Sequence, residues 1–400
     1  MTFPHVLIIG SGITGLSLAQ SLKKAGISYE IFEKNSAETF DTRPRDWGIT
    51  LHWGSSLLHS CLPKEIVGNV RSAQVNQTIE YTESEAVTVI NTATGECLKS
   101  IPLGSAGRFS HRKLLTLLKA GVGIQYAKQV NNIIPCTTGS GVSIAFTDGS
   151  QAHGDLVVGA DGRHSLVREF LLGKDIASQL FQPLGIVMHN FVAQYDAPQA
   201  QFIMSRLHRF LDMGVNPNGI FFALVPLDIQ DLEALQTAKF QIFISYVSEN
   251  SKGSTNTDIL EDLKAKTHDF VEPFRSAIAW LKPSHILNTG QVYGMDARSW
   301  NNHAGRVTLA GDSAHPFPSH RGQALNHALQ DVYNITKACV EASRTGNLVD
   351  TITQYDGELV NRTKAEMQLS VRQSKMMHDW DTLMQSPLMT IGAKRVSPSA

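Results

Sequence analysis

The chain has only four cysteines in 400 residues (Cys61, Cys97, Cys136 and Cys339), and no two of them form a CxxC pair. That scatter argues against a disulfide framework or a zinc knuckle and fits a reducing compartment. Net charge is equally scarce: 35 Lys and Arg against 36 Asp and Glu leave −1, no electrostatic footprint for nucleic acid or an anionic membrane. No apolar run approaches the roughly 20 residues that span a bilayer. The opening MTFPHVLIIG lacks a basic stretch before a long apolar one, and the closing VSPSA is not a peroxisomal tripeptide, so a cytoplasmic location is expected. The 15 histidines show no HxxxH spacing with a third ligand nearby, so no metal site is expected. There is no G-x-S-x-G, hence no hydrolase elbow. What is present is ordinary core material, 42% hydrophobic and 18% charged residues. It excludes disorder, collagen and coiled coil. At roughly 150 residues per domain the length predicts two or three domains.

His5 to Ile9 reads as a buried parallel strand. Gly10-Ser11-Gly12-Ile13-Thr14-Gly15 follows, then helical spacing at Ile13, Leu16, Ala19 and Leu22 that stops at Gly26. Tyr29 to Phe32 is a second strand, ending in Glu33. In such a unit the first Gly permits a tight turn, the second lets backbone approach a pyrophosphate, and the third packs helix on strand. The helix start offers amide donors and about half a positive charge to the phosphates. Glu33 can accept from ribose hydroxyls, and an acid there disfavours a 2′-phosphate, so this site favours FAD or NAD over NADP. No other GxGxxG lies on a strand–helix junction, so a second dinucleotide domain is not expected.

Further along, a strand Gly48–Leu51 and a helix capped by Ser110 and running to about Lys119 are expected, with Asp148-Gly149 as a hairpin turn. A buried strand, Asp155 to Gly159, leads into Ala160-Asp161-Gly162, followed by Ser165 and Arg168. Alone, this is a turn, a helix cap and a surface arginine. A third strand, Arg306 to Ala310, leads into Gly311-Asp312, and Gly322-Gln323-Ala324-Leu325-Asn326 then opens a helix reaching about Ser343. An acid at the carboxyl end of a parallel strand stands where this architecture binds ligands. Residues 176–300 differ: strands at 184–194, 219–227 and 240–247, and helices near 228–238 and 256–268, predict an α+β insert. The last 50 residues read as mostly helical and polar.

Together and in this order the three motifs resemble the class A FAD-dependent monooxygenases, with their para-hydroxybenzoate hydroxylase-like fold. Asp46-Trp47-Gly48-Ile49 and Arg321-Gly322-Gln323 resemble the fungal secondary-metabolism members. The resemblance implies an α/β protein. Its Rossmann-like (GR2) FAD-binding domain would comprise residues 1–70, 105–175 and 290–345, with an α+β substrate domain at 71–104 and 176–289 and C-terminal helices at 346–400. It further implies non-covalent FAD, with NAD(P)H and O2 as co-substrates. The reaction would hydroxylate or epoxidise an electron-rich small molecule (phenol, indole or polyketide-like) through a hydroperoxyflavin. Another flavin oxidase or dehydrogenase on this fold, or a non-redox FAD-binding protein, are the alternatives.

By the same resemblance, Gly10, Gly12 and Gly15 approach the FAD phosphates, and Glu33 holds the adenosine ribose. Gly48 contacts the cofactor through its backbone, and Arg112 reaches the pyrophosphate. Asp161 lies between the FAD and nicotinamide paths, and Asp312 binds the ribityl or pyrophosphate region. Leu325 and Asn326 offer amides to the flavin pyrimidine edge. No catalytic base is named. The loop beside that edge departs from the family: Ser319 stands where a Pro is usual and Ala324 where a second Gly is usual, and the loop carries His320 and Arg321. Arg321 is a cation for the flavin edge or half of a surface salt bridge. His52 reads as a cofactor-facing or a structural histidine. Arg43 and Arg45 read as nicotinamide-phosphate contacts or a solvated loop. His189, Phe222 and Tyr246 could line a substrate cavity, though core packing is the better reading at strand spacing. Trp280-Leu281-Lys282-Pro283 departs from the WxWxIP signature of flavin halogenases.

Overall fold

The computed structural model describes residues 4–43, 46–136, 141–208, 211–248 and 255–394. Five parallel strands form the first sheet, β1 (Val6–Ile9), β2 (Tyr29–Phe32), β7 (Ile124–Gln125), β11 (Leu156–Gly159) and β17 (Val307–Leu309), in the order β17-β11-β1-β2-β7. β1 and β11 are buried along their whole length, as all-apolar VLII and LVVG require in a parallel sheet covered on both faces. The Ile13–Ala25 helix stops where Gly26 turns left-handed at φ 72° and its N–H closes on the Lys23 carbonyl. The Ala324–Thr345 helix packs beside it, with Thr336 Oγ1 donating to Ser21 Oγ at 2.8 Å. Leu329, Val332 and Ile335 of this helix are fully buried in the core, each worth about 1.5–3 kcal/mol against exposure. A three-stranded antiparallel sheet, β8 (Val130–Pro135), β9 (Val142–Phe146) and β10 (Gln151–Gly154), packs on this core through Phe146 against Phe32, ring centroids 4.7 Å apart. The turn between β9 and β10 holds Gly149 at φ 85°, as the Asp-Gly pair predicts.

The second large sheet has seven strands: β4 (Glu85–Asn91), β5 (Cys97–Gly104), β12 (Phe181–Gln194), β13 (Leu211–Asn216), β14 (Ile220–Asp228), β15 (Lys239–Val247) and β16 (Ile286–Met295), ordered β16-β12-β15-β14-β13-β4-β5. One face carries Phe191, Phe222, Ile242 and Ile244 under the Ala197–Met204, Asn256–Lys266 and Phe274–Ala279 helices. The other carries Phe221, Ala223, Val225 and Phe243 and meets the C-terminal helices. A two-stranded ribbon, β3 (Gly48–Leu51) with β6 (Gly107–Ser110), sits at the junction of the two sheets. There the Gly48 N–H donates to Gln241 Oε1 of β15 at 2.8 Å.

The helix expected at 228–238 does not form; only a short 3-10 turn, Leu235–Thr237, lies there. The Ile229 N–H and carbonyl are committed to Val75 and Gln77, at 2.7 and 3.1 Å, so an extended pairing wins over local helical propensity. The Ala197–Met204 helix was missed although its Asp196/Gln199 capping box and Pro198 were legible. The polar C-terminal region is helical as expected, but its long Leu348–Met376 helix buries polar groups. Arg362, Thr363, Glu366, Ser370, Gln373 and Ser374 face inward.

Candidate cofactor and active site

The glycine loop after β1 is shaped by two collisions and one opening. Gly10 has φ 102°, and a Cβ there would stand 2.5 Å from the Ala160 carbonyl oxygen; a Cβ on Gly15 would stand 1.9 Å from the Gly10 carbonyl oxygen. Gly12 meets nothing within 4 Å. It caps a helix start that has no side-chain cap and no acid in its first turn, so first-turn amides face open space. Glu33, buried at the end of β2, accepts from Ser11 Oγ at 2.9 Å, the Asn35 N–H at 3.1 Å and Arg43 Nη2 at 3.1 Å. Burial pushes its carboxyl up, but the hydrogen bonds from Asn35 and Ser11 and the Arg43 charge outweigh that and hold it below its ordinary value. Arg43 thus braces the Glu33 carboxylate, with its guanidinium 4.8 Å from the Phe40 ring centre. Arg45 lies outside the described residues.

Gly48 is locked against Arg108: a Cβ would stand 2.4 Å from Nη2. Arg108 is buried and bonds Thr50 Oγ1 at 3.0 Å and Gln241 Oε1 at 3.3 Å; burial lowers its pKa to about 10. The Gly48 N–H is already taken by Gln241. Arg112 begins the His111–Lys119 helix, which Ser110 caps as expected, and its guanidinium donates to the Arg43 carbonyl. It lines a cavity of about 110 Å3 with Arg43, Trp47, His111 and Lys119.

Asp161 is a structural hub. Its carboxylate accepts from the Ser165 hydroxyl at 2.5 Å, the Leu166 N–H at 2.7 Å and the Ser313 hydroxyl at 3.1 Å. Arg168 is not the surface residue its sequence context suggests. It is buried, and Nη1 donates to the Ser313 carbonyl at 2.9 Å. Asp312, by contrast, is exposed on its loop. Surrounding protein strips water from one side of its carboxyl and pushes it above the ordinary value, against the pull of His315, Arg163 and Arg168.

The Ala324–Thr345 helix starts with no side-chain cap and no acid in its first turn. Asn326 is fully buried and staples this start to the end of β3: its Oδ1 accepts from the His52 and Gly54 N–H groups at 3.1 and 3.0 Å. Leu325 beside it is buried. His52 is a structural histidine. Asn326 Nδ2 lies 3.3 Å from its Nε2, and burial lowers its pKa to about 4. Arg321 forms a salt bridge, but a fully buried one, Nη1 to Glu366 Oε2 at 2.6 Å. Gln323 Oε1 accepts from Trp53 Nε1 at 3.0 Å. His189, Phe222 and Tyr246 stand on the sheet face packed by helices: Tyr246 OH donates to Asp262 Oδ2 at 3.1 Å, and Phe222 packs edge-on to Phe274. His189 and Phe222 are buried in that packing, whereas Tyr246 is half-buried and lines a cavity of about 350 Å3 with Lys266, His268 and His378. The face toward the ribbon instead presents Asn190, Phe243 and Met213, half-buried and in register across β12, β15 and β13, with Ala223 of β14 between the last two.

Several contributors escaped the sequence reading. Asp331 accepts from the Gly311 N–H at 2.8 Å, His315 Nε2 at 2.6 Å and Arg362 Nη2 at 2.5 Å, fixing the loop that presents Asp312. Arg362 Nη1 also donates to His327 Nδ1 at 2.8 Å. The available signal was the polar run Asn326, His327 and Asp331 inside an otherwise apolar helix face. Gln241, the tie to Gly48, is likewise a polar residue among the buried positions of β15, which it shares with Ser245.

These features fit FAD: an open, uncapped helix start behind Gly12, a buried acid at Glu33 at the end of the second strand, an exposed acceptor at Asp312 and a second uncapped helix start at Ala324. Residues 117–370 match the FAD binding domain family, and residues 8–70 match the NAD(P)-binding Rossmann-like domain. FAD-dependent monooxygenase cctM of Talaromyces islandicus is 36% identical over 397 residues, 98% of either chain. FAD-dependent monooxygenase phnB of Penicillium herquei is 31% identical over 408 residues, 98% of this chain and 96% of that one. Klebsiella pneumoniae HpxO, solved with FAD and uric acid, shares the fold at TM-score 0.75 and 20% identity over 97% of this chain and 92% of that one. So does 2,6-dihydroxypyridine-3-hydroxylase from Arthrobacter nicotinovorans, at TM-score 0.72 and 17% identity over 100% and 99%. The chain belongs to the FAD-dependent monooxygenases. It is an α/β flavoenzyme that uses FAD with NAD(P)H and O2 on a small molecule, with a helical C-terminal segment.

Proposed function

We propose that this monooxygenase adds one oxygen atom to a flat, electron-rich substrate of phenol, indole or polyketide-like type. The observation that carries this is the row Asn190–Phe243–Met213: three half-buried positions in register on the sheet face that carries Gln241, the tie to the ribbon. The Met188 sulfur of the same face meets Ser319 Oγ at 3.6 Å, so the row adjoins the loop that follows Asp312. An aromatic body suits Phe243 and Met213, and the Asn190 amide can meet one hydroxyl or carbonyl.

Bound FAD supplies the redox chemistry that activates dioxygen, and NAD(P)H supplies the electrons. Glu33 holds the adenosine ribose, and the Gly10–Gly15 loop and Arg112 hold the pyrophosphate. The Gly48 backbone lies along the cofactor through its carbonyl side. Asp161 fixes the loop between the FAD and nicotinamide paths, while Asp312 accepts ribityl hydroxyls. The Leu325 and Asn326 amides point a helix start at the pyrimidine edge, where preorganised donors stabilise negative charge. FAD is held without a covalent bond, in a domain built from residues 1–70, 105–175 and 290–345, with substrate enclosed by 71–104 and 176–289. Among the described residues no helix is long and apolar enough to cross a membrane, and we place the enzyme in the cytoplasm.

The test is NADPH and NADH consumption with product mass, against a panel of phenols, indoles and aromatic polyketides. Products heavier by one oxygen are expected. Peroxide formed one-for-one with oxidised, unoxygenated product would replace this reading with an oxidase or dehydrogenase.

A further inference from the structure

Three elements bring four polar side chains into a closed ring beneath the 319–321 loop. His320 Nε2 lies 3.0 Å from Ser245 Oγ of β15, and His320 Nδ1 lies 2.8 Å from Ser374 Oγ of the Leu348–Met376 helix. His378, just past that helix, has Nε2 at 2.8 Å from the same Ser245 Oγ and Nδ1 at 2.6 Å from the Ser374 carbonyl. Ser245 and Ser374 are fully buried, His320 is 2% exposed and His378 is 6% exposed.

Hydrogen-bond arithmetic fixes the protons. A carbonyl only accepts, so the proton of neutral His378 sits on Nδ1 and its Nε2 accepts from Ser245. The Ser245 oxygen then accepts from His320 Nε2–H, and the free Nδ1 of His320 accepts from the Ser374 hydroxyl. Each proton is used once and no group is orphaned. Ser374 Oγ has a second acceptor, the Ser370 carbonyl at 3.0 Å. Turning that single hydroxyl frees His320 Nδ1 to bind a proton and donate it to Ser374 Oγ, and every bond is again made. Buried networks usually leave an expensive orphan in one of two protonation states; this one leaves none.

We propose that the ring stores a proton for the monooxygenase reaction, with His320 taking it up as negative charge develops beside the 319–326 segment and releasing it later in turnover. Oxygenation of RH by O2 with NAD(P)H gives ROH, NAD(P)+ and water, and its balance consumes one proton from solvent. His378 lines an outer cavity of about 350 Å3 with Lys266, His268 and Asp269. Burial, and for His320 the neighbouring His378 as well, holds both rings below their ordinary value, so the resting ring is neutral. The charges packed around it are nearly balanced: Arg321 on the same loop is paired with Glu366 of the long helix, and β14 contributes only the edge-on Phe221 ring. His52, near Arg321, is neutral. New negative charge nearby therefore acts without a competing excess of either sign. His320 is thus a positioning residue for a proton. The ring stands by itself, but its use rests on the cofactor placement proposed above.

The tautomers are read by 15N-histidine NMR of the oxidised holoenzyme at pH 7, with His320→Gln and Ser245→Ala for assignment. Protons on His320 Nε2 and His378 Nδ1 are expected; a neutral His320 protonated on Nδ1 overturns the ring. The pH dependence of the bound-flavin midpoint potential is then compared in wild type and both variants. Wild type should take up one more proton per two electrons, a tenfold change in the reduction equilibrium per pH unit, or about 30 mV. Both variants should lose that increment; if His320→Gln fails to fold, Ser245→Ala carries the comparison. Equal slopes in proteins that retain FAD overturn proton storage. A wild-type protein that shows the tautomers but binds no FAD points instead to failure of the cofactor reading.

Discussion

The Ser313 hydroxyl donates to Asp161 Oδ1 at 3.1 Å, joining two loops 152 residues apart. The same hydroxyl accepts the Gly162 N–H at 2.9 Å, and the Ser313 carbonyl accepts from buried Arg168 at 2.9 Å. The Asp-Gly and Gly-Asp motifs are therefore one substructure at the carboxyl ends of neighbouring strands β11 and β17. Ser313→Ala leaves the Gly162 N–H without this acceptor and removes a donor from Asp161. A loss of about 1–3 kcal/mol of unfolding free energy is expected in urea titration. An unchanged midpoint would show that the two loops hold their positions without this link.

Glycines of the first loop separate folding from binding. Gly15→Ala places a Cβ 1.9 Å from a backbone carbonyl oxygen, which cannot turn aside, whereas Gly12→Ala meets no protein atom within 4 Å. Gly15→Ala should lower the melting temperature sharply. Gly12→Ala should fold within about 1 kcal/mol of wild type while losing at least tenfold in FAD affinity, read by flavin fluorescence. Full FAD affinity in Gly12→Ala would move the phosphates away from this helix start.

Asp312 is exposed, so Asp312→Ala should change folding stability by no more than about 0.5 kcal/mol. Loss of one charge-assisted bond to a cofactor hydroxyl costs about 1.5–3 kcal/mol, which is roughly ten- to 150-fold in FAD affinity. Wild-type affinity in the variant would remove Asp312 from the site.

Arg321 and Glu366 form a fully buried ion pair. Arg321→Met takes the guanidinium counter-charge from the buried Glu366 carboxylate and should cost about 3–5 kcal/mol, and adding Glu366→Leu should restore most of it. Failure of the double variant to recover would mean that the pair also positions the segment leading into the Ala324–Thr345 helix.

Acid sensitivity should follow buried histidines. Burial lowers His52 and His189 to about 4 each, from an unfolded value of 6.5. The unfolded chain therefore binds these protons more readily. Their contribution is full above about pH 6.5 and is lost as pH falls through 4, by up to about 3 kcal/mol per residue. His189→Asn should flatten the stability–pH profile between pH 6.5 and 4. A profile as steep as wild type would assign the acid loss to other groups.

Much of the cofactor half was legible in the sequence because its determinants are local. Gly10, Gly12 and Gly15 at fixed spacing, the acid Glu33 one strand later, and the two Asp-bearing strand ends each follow from short-range backbone demands. The buried runs of β1 and β11 announce a parallel sheet by themselves. The substrate half was less legible, because strand periodicity gives two faces and does not say which one meets the cofactor. His189 and Phe222 alternate correctly for a cavity yet lie buried under helices, and Tyr246 of their face lines only the outer cavity beside His378, while Asn190, Phe243 and Met213 stand on the opposite face with Gln241, which ties to the ribbon. Only packing of the whole chain decided which face the helices cover. The same holds for residues 228–238, where pairing with Val75 and Gln77 overrode helical propensity, and for Arg168, buried by a loop far away in sequence. The ring of His320, Ser245, His378 and Ser374 has no sequence signature at all. Its members come from separate elements, and the hydrogen bonds that set their protons exist only once those elements are packed together.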